Sequence, residues 1–152
     1  MSKTGDMAKA APDPPKWFFK AMVAINVFFY RLSGGRFMGT LKGSPICLVT
    51  MRGRKSGRTL VIPLMYTPHG EDVLVVASMG GAPSHPVWYH NLMANPDIAI
   101  QVGSRSRKMR ARQASTAEKA ELWPLCVASY PDFAEYQART DRDIPLIICQ
   151  PV

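Results

Sequence analysis

The 152-residue sequence predicts a mainly β fold of the α+β class: a small barrel of about six largely antiparallel strands with peripheral helices. Short apolar runs rich in β-branched and aromatic residues recur at 45–51, 60–66, 72–78, 97–102, 108–114 and 144–149. Turn residues part them, notably Gly53 and Gly57, Pro68-His69-Gly70-Glu71, and Gly103-Ser104. The second and third runs, and the fourth and fifth, are spaced closely enough for hairpins, which makes the sheet antiparallel. Closing such a sheet into a barrel removes its exposed edges.

Before the strands, residues 1–15 are rich in Ala, Pro and Lys, begin no periodic pattern, and read as a flexible arm. Charges and prolines there exclude the apolar core of a signal peptide. Residues 16–152 then form a single domain, opened by an amphipathic helix at 16–31. That helix is too short to span a bilayer, which needs about 20 apolar residues, and Lys20 and Asn26 interrupt it. Two readings stay open: a helix packed on the domain, or one lying in a membrane interface with Lys16, Lys20 and Arg31 facing anionic lipid. A Gly-rich link follows at 33–43. Two helical segments interrupt the strands. Residues 85–94 are stopped by Asn95-Pro96, and Ser115-Thr116-Ala117-Glu118 is a capping box that opens the next helix, with Pro124 as a candidate kink. A short segment at 132–139 follows Pro131.

With 47% hydrophobic residues the chain can bury its own core. Cys47, Cys126 and Cys149 lie in apolar segments without metal-like spacing, and their odd number fits core thiols in a reducing cytoplasm rather than a disulfide framework. The net charge of +8 is uneven: residues 1–60 hold eleven Lys/Arg against Asp6 and Asp13, whereas the rest is near neutral. A basic front half calls for a local anionic partner, whether phosphorylated ligand, membrane surface or nucleic acid. Lys108, Arg110 and Arg112 share one strand face without interleaved aromatics, so they read as a solvated outer face, and no nucleic-acid partner is expected. His85 and His90 are five apart, wrong for a stacked helical metal pair, and no metal site is expected.

The loop Arg52-Gly53-Arg54-Lys55-Ser56-Gly57-Arg58 concentrates cations, a hydroxyl and two turn-forming glycines, the composition of an anion-binding loop or of an ordinary basic hairpin. A second small-residue loop, Ala77-Ser78-Met79-Gly80-Gly81-Ala82, would let a flat ligand approach the backbone. Trp88, Tyr89, Asn91 and Asn95 put aromatics and amides on neighbouring helix faces. Tyr130, Phe133 and Tyr136 recur every three residues, as an aromatic wall over a planar substrate or as core packing. No nucleophile elbow or paired catalytic carboxylates stand out, so an enzyme of this sequence would rely on a bound cofactor.

These motifs together resemble the deazaflavin-dependent nitroreductases of actinobacteria. The matching pieces are Thr50-x-x-Gly53-Arg54-Lys55-Ser56-Gly57, Pro63-Leu64, Val75-Val76-Ala77-Ser78-x-Gly80-Gly81, Pro86-x-Trp88-Tyr89-x-Asn91-Leu92-x-Ala94-Asn95-Pro96, Trp123-Pro124, Tyr130-Pro131 and Arg142-x-Ile144-Pro145. The resemblance covers about residues 16–151. It implies a split β-barrel of the FMN-binding, flavin-reductase type that often dimerises. It implies the deazaflavin coenzyme F-420, with flavin mononucleotide (FMN) as the lesser candidate. Arg54, Lys55, Ser56, Gly57 and Arg58 would hold the acidic tail. Pro63, Ala77, Ser78, Met79, Gly80 and Gly81 would border the ring and ribityl chain. Trp88, Tyr89, Asn91, Leu92 and Asn95 would complete the pocket, with Tyr130, Phe133 and Tyr136 on the substrate side. Leu60 and Met79 stand where the family often carries an arginine and a lysine, leaving Arg52 and Arg58 to supply cationic contacts.

The expected activity is therefore hydride transfer from the reduced deazaflavin to an electron-poor small molecule: a quinone, an activated alkene or a nitro compound. Ser78 and Tyr130 or Tyr136 are the expected polar catalytic groups. The alternative is a non-catalytic, membrane-associated binder of a lipid-like or tetrapyrrole ligand on the same barrel. The expected location is cytoplasmic, peripheral on the inner face of the cell membrane through residues 16–31.

Overall fold

A computed structural model describes residues 15–35, 40–41 and 43–152. The expected N-terminal arm, Pro15 apart, and much of the Gly-rich link lie outside the described residues. Helix α1 (Lys16–Ser33) starts after Pro15 and ends where Gly34 turns left-handed, φ 62°. Its Val23, Val27 and Tyr30 fall at i, i+4 and i+7, and pack against Leu48, Ile46 and Val61 on the outer barrel wall. The Tyr30 hydroxyl donates to the Ile46 carbonyl (3.1 Å) and accepts from the Gly103 N–H (2.8 Å), tying the helix to two strands and a turn.

Eight strands follow in chain order: β1 (Thr40–Leu41), β2 (Ser44–Arg52), β3 (Thr59–Met65), β4 (Thr67–His69), β5 (Asp72–Val76), β6 (Asp97–Val102), β7 (Arg105–Gln113) and β8 (Leu146–Pro151). Every recorded pairing is antiparallel. Only Tyr66 separates β3 from β4, so the two act as one strand that bends and changes partner, pairing β2 before the bend and β5 after it. The circuit then closes through β5, β8, β7, β6 and back to β2. Six walls result, as the sequence predicts, with the two-residue β1 as an addition. One expected hairpin is corrected. The 60–66 run does not pair with the strand at 72; it pairs with β2 across the basic loop, and the short β4 supplies the hairpin partner of β5. The physical reason is the bend at Tyr66, which a pattern of alternating residues does not encode. The β6–β7 hairpin forms as expected.

Alternation along the strands sorts two apolar layers. Cys47, Val49 and Met51, Val73 and Val75, Ile98 and Ile100, Met109 and Ala111, and Ile147 and Cys149 fill the interior. Leu92 of helix α2 (Val87–Ala94) joins this cluster, fully buried. Leu74, Val76, Leu146 and Ile148 face outward under helices α3 (Thr116–Ser129) and α4 (Asp132–Ala138), which contribute Cys126 and Phe133. Burying each such large aliphatic side chain stabilises by about 1.5–3 kcal/mol. All three cysteines are buried and unpaired, as core thiols should be. The capping box forms as expected: the Ser115 hydroxyl accepts from the Glu118 N–H (3.2 Å) and the Glu118 carboxylate accepts from the Ser115 N–H (3.0 Å). Lys108, Arg110 and Arg112 are all exposed on β7, which confirms the solvated outer face.

Candidate functional site

Between α1, the outer face of β2 and β3, and helices α2 and α4 lies a cavity of about 330 Å³, a size suited to part of a small ligand. Its wall brings together Asn26 and Tyr30 from α1, Pro63 from β3, Ser78 and Met79 from the turn after β5, Trp88 from α2 and Phe133 from α4. Residues far apart in sequence thus converge because β2–β3, the β5 exit and two helix starts meet at one side of the barrel.

The turn after β5 is bent hard. Met79 is the single positive-φ non-glycine among the described residues (46°), followed by Gly80 (65°) and Gly81 (80°). A Cβ on Gly81 would lie 2.6 Å from the Tyr136 carbonyl oxygen, so glycine lets the turn press directly on α4. Arg142, in the link from α4 to β8, holds the same turn. Its guanidinium donates to the carbonyls of Ala77 (3.0 Å), Ser78 (2.7 Å) and Ala82 (3.0 Å). It also donates to His85 Nδ1 (2.6 Å), because arginine carries only donors. Desolvation first, then the Arg142 charge and then His90, push the His85 pKa down from its ordinary value. The imidazole is therefore neutral at pH 7 and free to accept.

The basic loop joins β2 to β3. The Gly53 N–H reaches the Arg58 carbonyl (2.8 Å), the Gly57 N–H the Gly53 carbonyl (2.9 Å), and the Arg58 N–H the Ser56 hydroxyl (3.2 Å). Arg54, Lys55 and Arg58 are exposed, and among the described residues no carboxylate lies within 4.0 Å of their cationic groups. Charges of one sign clustered on a fixed loop suit a polyanion. The buried Asn91 anchors this loop, its Oδ1 accepting from the Arg54 N–H at 2.9 Å. Trp88 and Asn91 lie one turn apart on α2, about 4.5 Å along the axis. One helix therefore fixes the cavity wall and the cationic loop relative to each other.

The remaining expected site residues divide. Ala77 is buried beneath the turn, and Tyr89 bonds Gln113 (2.6 Å) while its ring packs on His85. Asn95 ends α2, its N–H reaching the Asn91 carbonyl. Leu92 does not border the cavity: its side chain plugs the barrel interior, because it points inward where α2 closes the barrel. Of the late aromatics only Phe133 lines the cavity. Tyr130, 5% exposed, packs edge-on to Phe133 with centroids 4.9 Å apart. The Tyr130 and Tyr136 hydroxyls are 3.1 Å apart. That hydrogen bond, with burial and Asp132, raises the Tyr130 pKa to about 12. Sequence reasoning missed Asn26, Tyr30 and Arg142 as parts of the site; the Arg142-x-Ile144-Pro145 motif held the one available signal for Arg142.

A deazaflavin matches this donor set, with a flat cavity wall for a ring and a cationic loop for an acidic tail. The barrel is of the split-barrel type, and a cavity beside a cationic loop suits an anionic cofactor. Residues 22–151 match the F-420H(2)-dependent quinone reductase family model. A Mycobacterium tuberculosis protein named as an F-420H(2)-dependent quinone reductase is 47% identical over 113 residues, covering 74% of this chain and 95% of its own length. The solved structure of an F-420-H2 dependent reductase (FDR-A) superposes with a TM-score of 0.66 at 42% identity, over 70% of this chain and 94% of that one. Another solved relative, described as a domain-swapped dimer, shares 34% identity over 91% of this chain and 100% of its own, with a TM-score of 0.68. The chain belongs to the F-420H(2)-dependent quinone reductase family. It is thereby an oxidoreductase whose cofactor is the deazaflavin. The non-catalytic alternative finds no support in these relatives. Among the described residues no helix is long and apolar enough to cross a membrane.

Proposed function

We propose that this chain reduces a quinone-type acceptor bound against Phe133 and Trp88, with the reduced deazaflavin as hydride donor. The observation that carries the reading is the convergence of Pro63, Ser78, Met79, Trp88 and Phe133 on one cavity, with Trp88 about one helical turn from Asn91, which holds the Arg54 N–H of the cationic loop. When bound, the deazaflavin supplies the hydride from its ring carbon C5. The protein's work is alignment and charge stabilisation. Arg54, Lys55, Ser56, Gly57 and Arg58 grip the acidic tail. The Ser78 hydroxyl offers a hydrogen bond to negative charge growing on the acceptor oxygen. Tyr130, its pKa raised to about 12, stays protonated at neutral pH, and the hydrogen-bonded Tyr130–Tyr136 pair supplies the following proton. Stopped-flow oxidation of the reduced deazaflavin by a quinone, an enone and a nitroarene tests this. The quinone should be turned over fastest, and equal rates with and without the protein for all three would refute it.

The exposed face of α1 supports a second assignment. Trp17, Phe18, Ile25, Phe28, Phe29 and Leu32 project outward, with Lys16, Lys20 and Arg31 also exposed. This face docks on an anionic membrane surface, where a lipid-soluble quinone would be delivered. Replacing Trp17, Phe28 and Phe29 by serine should abolish sedimentation with phosphatidylglycerol vesicles. Unchanged sedimentation would exclude α1 as the anchor. Elution as a dimer that the same variant converts to a monomer would instead assign the face to self-association, by analogy with the domain-swapped relative.

A further inference from the structure

We propose that Arg142 is a positioning residue for hydride transfer: it fixes the turn at residues 77–82 against which the deazaflavin ring docks. The inference rests on the function proposed above and adds a residue to it. Three of its hydrogen bonds end on the carbonyls of one short turn, and the fourth on His85 just beyond it. The turn needs such a clamp. A non-glycine residue at φ 46° costs energy, and it persists only where the surroundings over-determine it. The Tyr136 backbone packs on the turn at Gly81, and Arg142 holds its carbonyls.

The charge matters as well as the geometry. No carboxylate among the described residues lies within 4.0 Å of the Arg142 guanidinium; its partners there are three carbonyl dipoles and a neutral imidazole. A guanidinium on the Ala77 and Ser78 carbonyls withdraws electron density from those peptides and strengthens the next N–H groups, Ser78 and Met79, as donors. Ser78 and Met79 line the cavity. Arg142 therefore delivers positive potential to the ring's edge without touching ligand.

Lysine cannot copy this pattern, because one ammonium point cannot reach four acceptors arranged around a planar fork. The test uses the full chain with Arg142→Lys and Arg142→Ala. Three readouts are needed: equilibrium binding of the oxidised deazaflavin, the single-turnover rate of hydride transfer to a quinone at saturating cofactor, and hydrogen exchange of residues 77–82 without ligand. Arg142→Lys should change the dissociation constant less than about threefold, because the tail is held elsewhere. The transfer rate should fall about 30- to 100-fold, the scale expected for ångström misplacement of a reacting group. Exchange at 77–82 should quicken, and methylguanidinium should restore part of the rate to Arg142→Ala. His85→Gln, which keeps an acceptor, should retain more rate than His85→Leu. A rate within threefold of wild type in Arg142→Lys would overturn the proposal. So would equal factors lost from binding and rate together with a collapsed thermal midpoint. A wild-type chain that leaves the reduced deazaflavin unoxidised would instead overturn the functional reading beneath it.

Discussion

Gly81→Ala probes the contact on which the ring-side turn depends. Two costs arise. The first is conformational: at φ 80° an alanine pays the left-handed penalty of about 1–2 kcal/mol. The second is steric. The new Cβ would sit 2.6 Å from the Tyr136 carbonyl oxygen and 3.1 Å from its Cα, with the Arg139 Cβ at 3.2 Å. Backbone cannot swing aside as a flexible side-chain end can, so α4 and the turn must separate by roughly half an ångström or more. Overpacking of this kind adds about 1–3 kcal/mol. The sum, about 2–5 kcal/mol, should lower the thermal midpoint by roughly 5–15 °C for a domain of this size. Gly57→Ala is the control: its φ of 69° incurs the same conformational penalty, but nothing lies within 4 Å of the new Cβ. Paired urea titrations of both variants isolate the steric part as their difference. The turn also carries Ser78 and Met79, so Gly81→Ala should slow hydride transfer more than tenfold, since small misplacements weigh heavily on rate. Equal destabilisation by the two variants would refute the close packing of turn on helix, and an unaltered transfer rate would remove the turn from the reacting geometry.

Asn91→Ala should weaken deazaflavin binding by about 1–3 kcal/mol, measured by fluorescence titration, because the Arg54 N–H loses its buried acceptor and the cationic loop loosens. Ser115→Ala should destabilise the chain by about 1 kcal/mol in urea titration while leaving hydride transfer alone, since it removes one arm of the α3 capping box. For pH, the folded chain holds the His85 pKa below its unfolded value near 6.5, so the unfolded state binds more protons in that range. The stability linked to neutral His85 is full above pH 6.5 and is lost as pH falls through the folded value. Thermal midpoints of wild type and His85→Gln should therefore converge as the medium is acidified from neutrality.

Local chemistry was legible in the sequence where a few neighbouring residues decide the outcome. The Ser115–Glu118 box announced α3, Gly103-Ser104 announced the β6–β7 turn, and alternation separated Met109 and Ala111 from Lys108 and Arg110. The partner switch at Tyr66 was not legible, because it depends on β2 and β5 competing for one continuous strand. Within the site, the basic loop and Ser78–Gly81 were visible through composition. Leu92 faces the barrel interior, and an apolar residue on a pocket helix carries no mark in the sequence of which way it faces. Arg142 stands in a motif, Arg142-x-Ile144-Pro145, but its task is legible only once the fold brings three carbonyls around it. Asn91 was found for its amide, but its observed partner is the loop backbone rather than a ligand.

The position of β8 has a consequence for how the molecule is made. It wedges between β5 and β7, both earlier in the sequence, with Ile147 and Cys149 sealing the interior and Leu146 and Ile148 seating α3 and α4. Val73 pairs with Pro68 on one side, but its other side finds a partner in Cys149. The hairpins can pair without β8, but the wall between β5 and β7 stays open until β8 is in place. Arg142 arrives only just ahead of that strand. Closure of the barrel and the clamp on the turn after β5 therefore depend on the same stretch of chain, Arg142 and the strand that follows it.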